Sequence, residues 1–156
     1  MPVPMVNRAG QTCRSKDHDP RRAVMRVVAA ERVIMAVVLV VEDDTFICEL
    51  TELTIQDWGY QTLTASDVDE ALAILRSPQP IDLLFTDIYL KTAVVGGFDL
   101  AREAIKLRPH LRVLYTTGNC ITAEMKTLFL KEAECIRKPY TPRQLQTSFE
   151  HMLALS

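Results

Sequence analysis

From Ala36 onward, short apolar runs alternate with stretches of helical periodicity, and this alternation restricts the fold more than any other feature of the chain. Val37-Val38-Leu39-Val40-Val41 carries no polar residue on either face and is β-branched at all positions but Leu39. A strand of that kind is buried on both sides, as in a parallel sheet wrapped by helices. Five strand–helix pairs follow this pattern, which predicts an α/β domain with one open parallel sheet.

The first helix is expected over 45–58, capped by Asp44, stopped at Gly59, with Phe46, Ile47, Leu50 and Leu53 facing inward. A second strand is expected over 60–64. Ser66 or Asp67 then caps a helix bearing Val68, Ala71, Leu72 and Leu75, which Pro78 and Pro80 end. The third strand reads as 81–86, placing Asp87 at its C-terminal end. Residues 88–97 read as a loop closed by Gly96-Gly97, followed by a helix with Leu100, Ala101, Ala104 and Ile105 inward. A fourth strand over 111–115, a helix over 121–131 and a short strand over 134–136 come next. Thr141-Pro142-Arg143-Gln144 has the form of a capping box with a first-turn proline, opening a last helix that buries Leu145, Phe149, Met152 and Leu153.

The 156 residues, 48% of them hydrophobic, suffice for one domain with a substantial core and not for two. Residues 35–156 form that domain. Residues 1–34, with Pro2, Pro4, Gly10 and Pro20, have the composition of a flexible extension, in which a short helix over 21–32 is compatible with the pattern. Met35-Ala36 directly precedes the first strand, which makes Met35 a candidate translation start that N-terminal sequencing of native protein decides.

A formal net charge of −2 argues against nucleic-acid binding through phosphate neutralisation. Arg26, Glu31 and Arg32 interrupt the apolar stretch 23–41, so no membrane span is expected, and Arg21-Arg22 lacks the uninterrupted core of an export signal. Cys13, Cys48, Cys120 and Cys135 contain no CxxC pair, which fits reduced thiols in a cytoplasmic protein. His18, His110 and His151 are too dispersed for a histidine metal site or a nucleophile–histidine pair.

In an open parallel sheet, ligands gather outside the carboxyl ends of the strands. There this sequence places Glu42-Asp43-Asp44 after strand one, Asp87 after strand three, Thr116-Thr117 after strand four and Lys138-Pro139 after strand five. Taken singly, the acids make an ordinary cap, Lys138 a surface lysine and Thr116 a routine strand end. Taken together, several carboxylates at one rim need a cation between them. Magnesium, which takes one or two carboxylates, waters and a phosphate oxygen, is the natural candidate.

The motifs Val40-Val41-Glu42-Asp43, Leu84-Phe85-Thr86-Asp87-Ile88, Leu114-Tyr115-Thr116-Thr117-Gly118 and Arg137-Lys138-Pro139-Tyr140 stand in order at strand ends. Over residues 36–155 the chain resembles the CheY-like receiver domain of bacterial two-component response regulators, of the single-domain type. The resemblance implies a flavodoxin-like, doubly wound sheet of strand order 2-1-3-4-5 with five helices. It implies that Asp87 takes a phosphoryl group from the phosphohistidine of a sensor histidine kinase or phosphotransfer protein. Mg2+ would lie on Glu42, Asp43, Asp87 and the backbone carbonyl of Tyr89, while Thr116 and Lys138 neutralise the phosphoryl oxygens. Such a protein is a phosphoacceptor, not an enzyme that turns over other substrates. Phosphorylation would switch the face of helix four, strand five and helix five, which serves a downstream protein target or a homodimer. With nothing beyond Ser156 to act as an output domain, the expectation is action through partners.

The sequence departs from the family at three places. Cys135 stands where the family usually has an aromatic switch residue, and Tyr115 either takes that role or simply packs. The loop between Asp87 and Gly97 runs a residue or two longer than the common form. Tyr89 stands where side chains in this family control access of the hydrolytic water, so slow self-dephosphorylation is expected, with a shorter acyl-phosphate lifetime in Tyr89→Ala. Two other readings remain: a receiver-like docking module that takes no phosphate, and a flavin-binding electron carrier. The acids after strand one disfavour the second, because they repel an anionic cofactor.

Overall fold

Val37–Val41 becomes the middle of the molecule because it can pair on both sides without exposing a polar side chain. In the computed structural model, which describes residues 36–91 and 96–154, it is β1 of a five-stranded parallel sheet. The other strands are β2 (Gln61–Ala65), β3 (Leu83–Asp87), β4 (Arg112–Thr117) and β5 (Glu134–Arg137). Their order is β2-β1-β3-β4-β5, the doubly wound, flavodoxin-like order expected. The helices are α1 (Thr45–Asp57), α2 (Val68–Arg76), α3 (Gly96–Leu107), α4 (Ala123–Lys126) and α5 (Pro142–Ala154). The extension 1–34 and the helix considered over 21–32 lie outside the described residues.

Each face of the sheet carries its own core. Leu39, Leu84 and Tyr115 pack with Ala71 and Leu75 of α2, Phe98, Leu100 and Ala104 of α3 and Met125 of α4. Val38, Val40, Phe85 and Leu114 pack on the other face with Ile55 of α1 and Leu145, Phe149 and Met152 of α5. The α5 cap is the reciprocal box foreseen: Thr141 N–H donates to Gln144 Oε1 at 2.8 Å and Gln144 N–H to Thr141 Oγ1 at 3.2 Å.

Three expectations need correction. In α1 the inward face is not Phe46, Leu50 and Leu53, which are 73%, 56% and 61% exposed. Cys48, Thr51, Ile55 and Trp58 turn inward instead, and Trp58 meets Phe149 edge-on with ring centroids 5.9 Å apart. The helix has two apolar stripes of the same period, and long-range packing against α5 selects one of them. Gly96 and Gly97 do not close a loop but form the first turn of α3. A Cβ on Gly97 would sit 2.2 Å from the Asp87 carbonyl oxygen, so only glycine lets α3 start against the end of β3.

The third correction is α4, which is one turn rather than the span 121–131. Thr127 N–H turns back to the Glu124 carbonyl at 3.1 Å and Leu128 N–H to Met125 at 2.9 Å, tightening and ending the helix. Leu128, Phe129 and Leu130 are consecutive and all pack against the core, which one face of a helix cannot provide.

Candidate phosphoacceptor site

The ends of β1 and β3 lie side by side, with Val41 opposite both Ala65 and Thr86, and Asp87 is the cross-strand partner of Thr116. This register delivers Glu42, Asp87 and Thr116 to one rim, and Lys138 reaches it from the end of β5, its N–H donating to the Thr117 carbonyl at 2.8 Å. The Lys138 ammonium donates to Glu42 Oε2 at 2.7 Å and to Asp87 Oδ2 at 2.8 Å. Glu42 and Asp87 are buried, 6% and 8% exposed, so this shared cation is what makes two adjacent carboxylates tolerable there. The other oxygens are bound too: Glu42 Oε1 accepts from Asp44 N–H at 3.2 Å and Asp87 Oδ1 from Tyr89 N–H at 3.0 Å.

Burial raises the pKa of Glu42, and the Lys138 ammonium offsets this only in part. For Lys138, burial acts downward, but its bonds to Asp87 and Glu42 outweigh it and the net direction is up. The lysine therefore stays charged throughout the physiological range. Asp43 stands apart from this triad and accepts from Lys91 N–H at 2.8 Å, which anchors the loop after β3.

Glu42, Asp43, Asp87, Tyr89, Thr116 and Lys138 are thus brought to one rim. The cation between Glu42 and Asp87 is the lysine. Among the described residues no three His, Cys, Asp or Glu side chains surround one point as a cage. Magnesium needs no cage; the Asp43 and Asp87 carboxylates and the Tyr89 carbonyl are the hard oxygen donors it prefers, with water completing the shell. The donor set fits that ion, with Glu42 committed to Lys138.

Thr116 Oγ1 is buried at 2% exposure and has no hydrogen-bond partner, as has the hydroxyl of its neighbour Tyr115. Buried hydroxyls without partners are uncommon, and two in sequence at a strand end mark a place built for something else. Tyr89 contributes a contact the sequence did not disclose: its hydroxyl donates to Met125 Sδ at 3.4 Å, tying the Asp87 loop to α4. The other unforeseen feature is the exposed stripe on α1; its signal was the presence of two apolar faces on one helix.

Residues 38–150 match the family model described as response regulator receiver domain. The chain belongs to the response regulator receiver family. This receiver is 28% identical over 123 residues to the response regulator SaeR of Staphylococcus epidermidis, covering 77% of this chain and 51% of that protein. It is 30% identical over 121 residues to the transcriptional regulatory protein AruR of Pseudomonas aeruginosa, covering 74% of this chain and 48% of that one. The receiver chain spans about half the length of these curated relatives. Among solved structures, a response regulator receiver protein from Sinorhizobium medicae superposes with TM-score 0.72 at 25% identity, covering 78% of this chain and 96% of that one. A CheY-like receiver from Methanospirillum hungatei gives TM-score 0.69 at 30% identity, covering 76% and 94%. Receiver domains generally use Mg2+ for phosphorylation and interact with histidine kinases. No helix among the described residues is long and apolar enough to cross a membrane.

Proposed function

We propose that Asp87 accepts a phosphoryl group from the phosphohistidine of a histidine kinase or phosphotransfer protein in the cytoplasm, with Mg2+ bound by Asp43, Asp87 and the Tyr89 carbonyl. The observation that carries this reading is the Asp87 carboxylate lying against the Lys138 ammonium, one strand position across from the unpartnered Thr116 hydroxyl. A carboxylate oxygen of Asp87 attacks phosphorus, the P–N bond breaks, and its electron pair leaves with the imidazole. Lys138 and Thr116 meet the charge on the transferred oxygens, and little else is asked of a protein in phosphoryl transfer. Bound magnesium supplies further neutralisation of that charge. The chain acts on itself, as a signalling phosphoacceptor rather than an enzyme with a separate substrate.

The exposed stripe Phe46, Leu50 and Leu53 on α1 supports a macromolecular donor, because the helix starts at the acidic loop and carries its apolar face beside the site. The surface switched by phosphorylation is the face of α4, β5 and α5, which serves a downstream target or a second copy. A groove of about 500 Å³ between β5 and α5, lined by Ile136, Arg137, Tyr140, Arg143 and Thr147, lies on that face.

The test is magnesium-dependent labelling by acetyl phosphate. Wild type labels and Asp87→Asn does not, whereas equal labelling of the two removes the proposal and leaves a docking module that takes no phosphate. Leu50→Ser slows transfer from a phosphohistidine donor about tenfold, the scale of one interface anchor, and leaves labelling by acetyl phosphate unchanged.

A further inference from the structure

Thr116 and Tyr115 are neighbours with the same defect, and the proposed phosphoryl group accounts for only one of them. The Tyr115 hydroxyl belongs to a fully buried ring, 0% exposed, and finds no hydrogen-bond partner. The ring is surrounded by other rings, and the Leu130 backbone is the polar group nearest the hydroxyl, which donates to no acceptor. The ring meets Phe98 and Phe129 edge-on, each with centroids 5.1 Å away, and Phe129 and Phe98 are 5.1 Å from one another. Burial pushes the phenol up to about 12, although the Leu130 backbone and the charge of Arg102 act in the opposite direction. A hydroxyl in such a place is destabilising, where phenylalanine would pack without cost.

What covers it is weakly held. After the single turn of α4, Leu128 N–H bonds to Met125, and the next backbone bond donated is from Ala133 to Leu130 at 3.1 Å. Between those points the segment is fixed mainly by the half-buried Leu128, Phe129 and Leu130. Few hydrogen bonds and incomplete burial put a segment at the low-stability end of a fold. The same segment is tied to the phosphoacceptor loop, since Tyr89 bonds to Asp87 Oδ1 through its N–H and to Met125 through its hydroxyl. Any rearrangement of the Asp87 carboxylate is felt at α4 through that one residue.

We infer that the Tyr115 hydroxyl primes the α4–β5 segment, residues 127–131, to lift away from the sheet: seated, the hydroxyl donates to nothing; lifted, it meets water. The coupling to Asp87 rests on the phosphoacceptor reading; the priming itself does not. Cys135, the cross-strand partner of Tyr115, offers no ring to fill the space behind the segment, so β4 supplies the aromatic at this level of the sheet.

The experiment is hydrogen exchange on the full chain, wild type against Tyr115→Phe, without and with beryllofluoride and Mg2+. The variant keeps the ring and loses only the hydroxyl. Without ligand, exchange in 123–131 slows about fivefold in Tyr115→Phe, the lower end of the cost of an unpartnered buried group, and identical exchange there overturns the inference. With ligand, wild type shows faster exchange in 123–131, and Tyr115→Phe binds beryllofluoride about fivefold more weakly, since linkage requires the same factor in both measurements. Slower exchange spread over all five strands with unchanged beryllofluoride affinity makes the hydroxyl a simple core defect and also overturns it. If wild type binds no beryllofluoride, the phosphoacceptor reading fails, and the ligand-free arm alone decides whether the hydroxyl primes the segment.

Discussion

At the ends of β1 and β3 the buried polar side-chain atoms are all partnered, while at the end of β4, on the same rim, two hydroxyls are not. The acidic corner is also close-packed from behind, where Gly97 leaves no room for a methyl group against the Asp87 backbone. The β4 corner is covered by a segment with few backbone bonds. One corner has its polar groups satisfied and the other does not. On the proposed phosphoacceptor reading the two corners divide the work: fixed groups for the chemistry, and a neighbouring region free to change shape.

Removing a polar group should therefore have opposite consequences at the two corners. The larger effect is at the acidic one. Lys138→Met leaves Glu42 and Asp87 buried side by side without their cation, and stability at neutral pH should fall by about 2 kcal/mol, below the usual cost of breaking a buried pair because the lysine is partly exposed. Denaturant unfolding measures this, and Mg2+ should restore part of the loss by neutralising the same carboxylates. A variant as stable as wild type would mean that the ion pair does not hold the corner. At the β4 corner the sign reverses: Tyr115→Phe should raise stability by about 1 kcal/mol in the same measurement, because a buried donor without an acceptor is removed and the ring is kept. Two losses of the same sign would erase the contrast.

The finished corner was the legible one. A carboxylate ending an apolar strand, acids after β1 and Lys138-Pro139 after β5 follow from the rule that a parallel sheet works at its carboxyl edge, and the resemblance named their roles. Caps at Asp44 and Thr141 were legible because they depend on residues three apart. What escaped depends on contacts far apart in sequence. The rotation of α1 is set by Ile55 and Trp58 against Phe149, about a hundred residues away, and local periodicity cannot choose between its two stripes. The early end of α4 is set by how deeply Leu128, Phe129 and Leu130 reach the core. The resting position of Lys138 between Glu42 and Asp87 follows from the register of β1, β3, β4 and β5, which no single motif contains.

The smallest effect separates the corners by chemistry at a thiol. Cys135 lies beside Tyr115 on the incomplete side, and burial first, then the charge of Asp87, push its pKa from 9.0 up to about 11. Because the folded value lies above the unfolded one, the stabilising contribution of the protonated thiol is complete below pH 9. It is lost as pH rises toward about 11, where the unfolded chain has already released its proton and the folded one has not. Cys120 is exposed on the loop after β4, its sulfur accepting from Arg137 at 3.5 Å. At pH 8.5, site-resolved alkylation should label Cys120 at least about tenfold faster than Cys135, as the raised pKa of Cys135 and the exposure of Cys120 both require. Comparable rates would show that Cys135 is reached as readily as Cys120. Cys135 is half-buried and packs against the same core as Leu128, Phe129 and Leu130, so if residues 127–131 open as inferred its labelling should slow in Tyr115→Phe while that of Cys120 does not change, and a uniform change at both thiols would place the effect of the hydroxyl outside this segment.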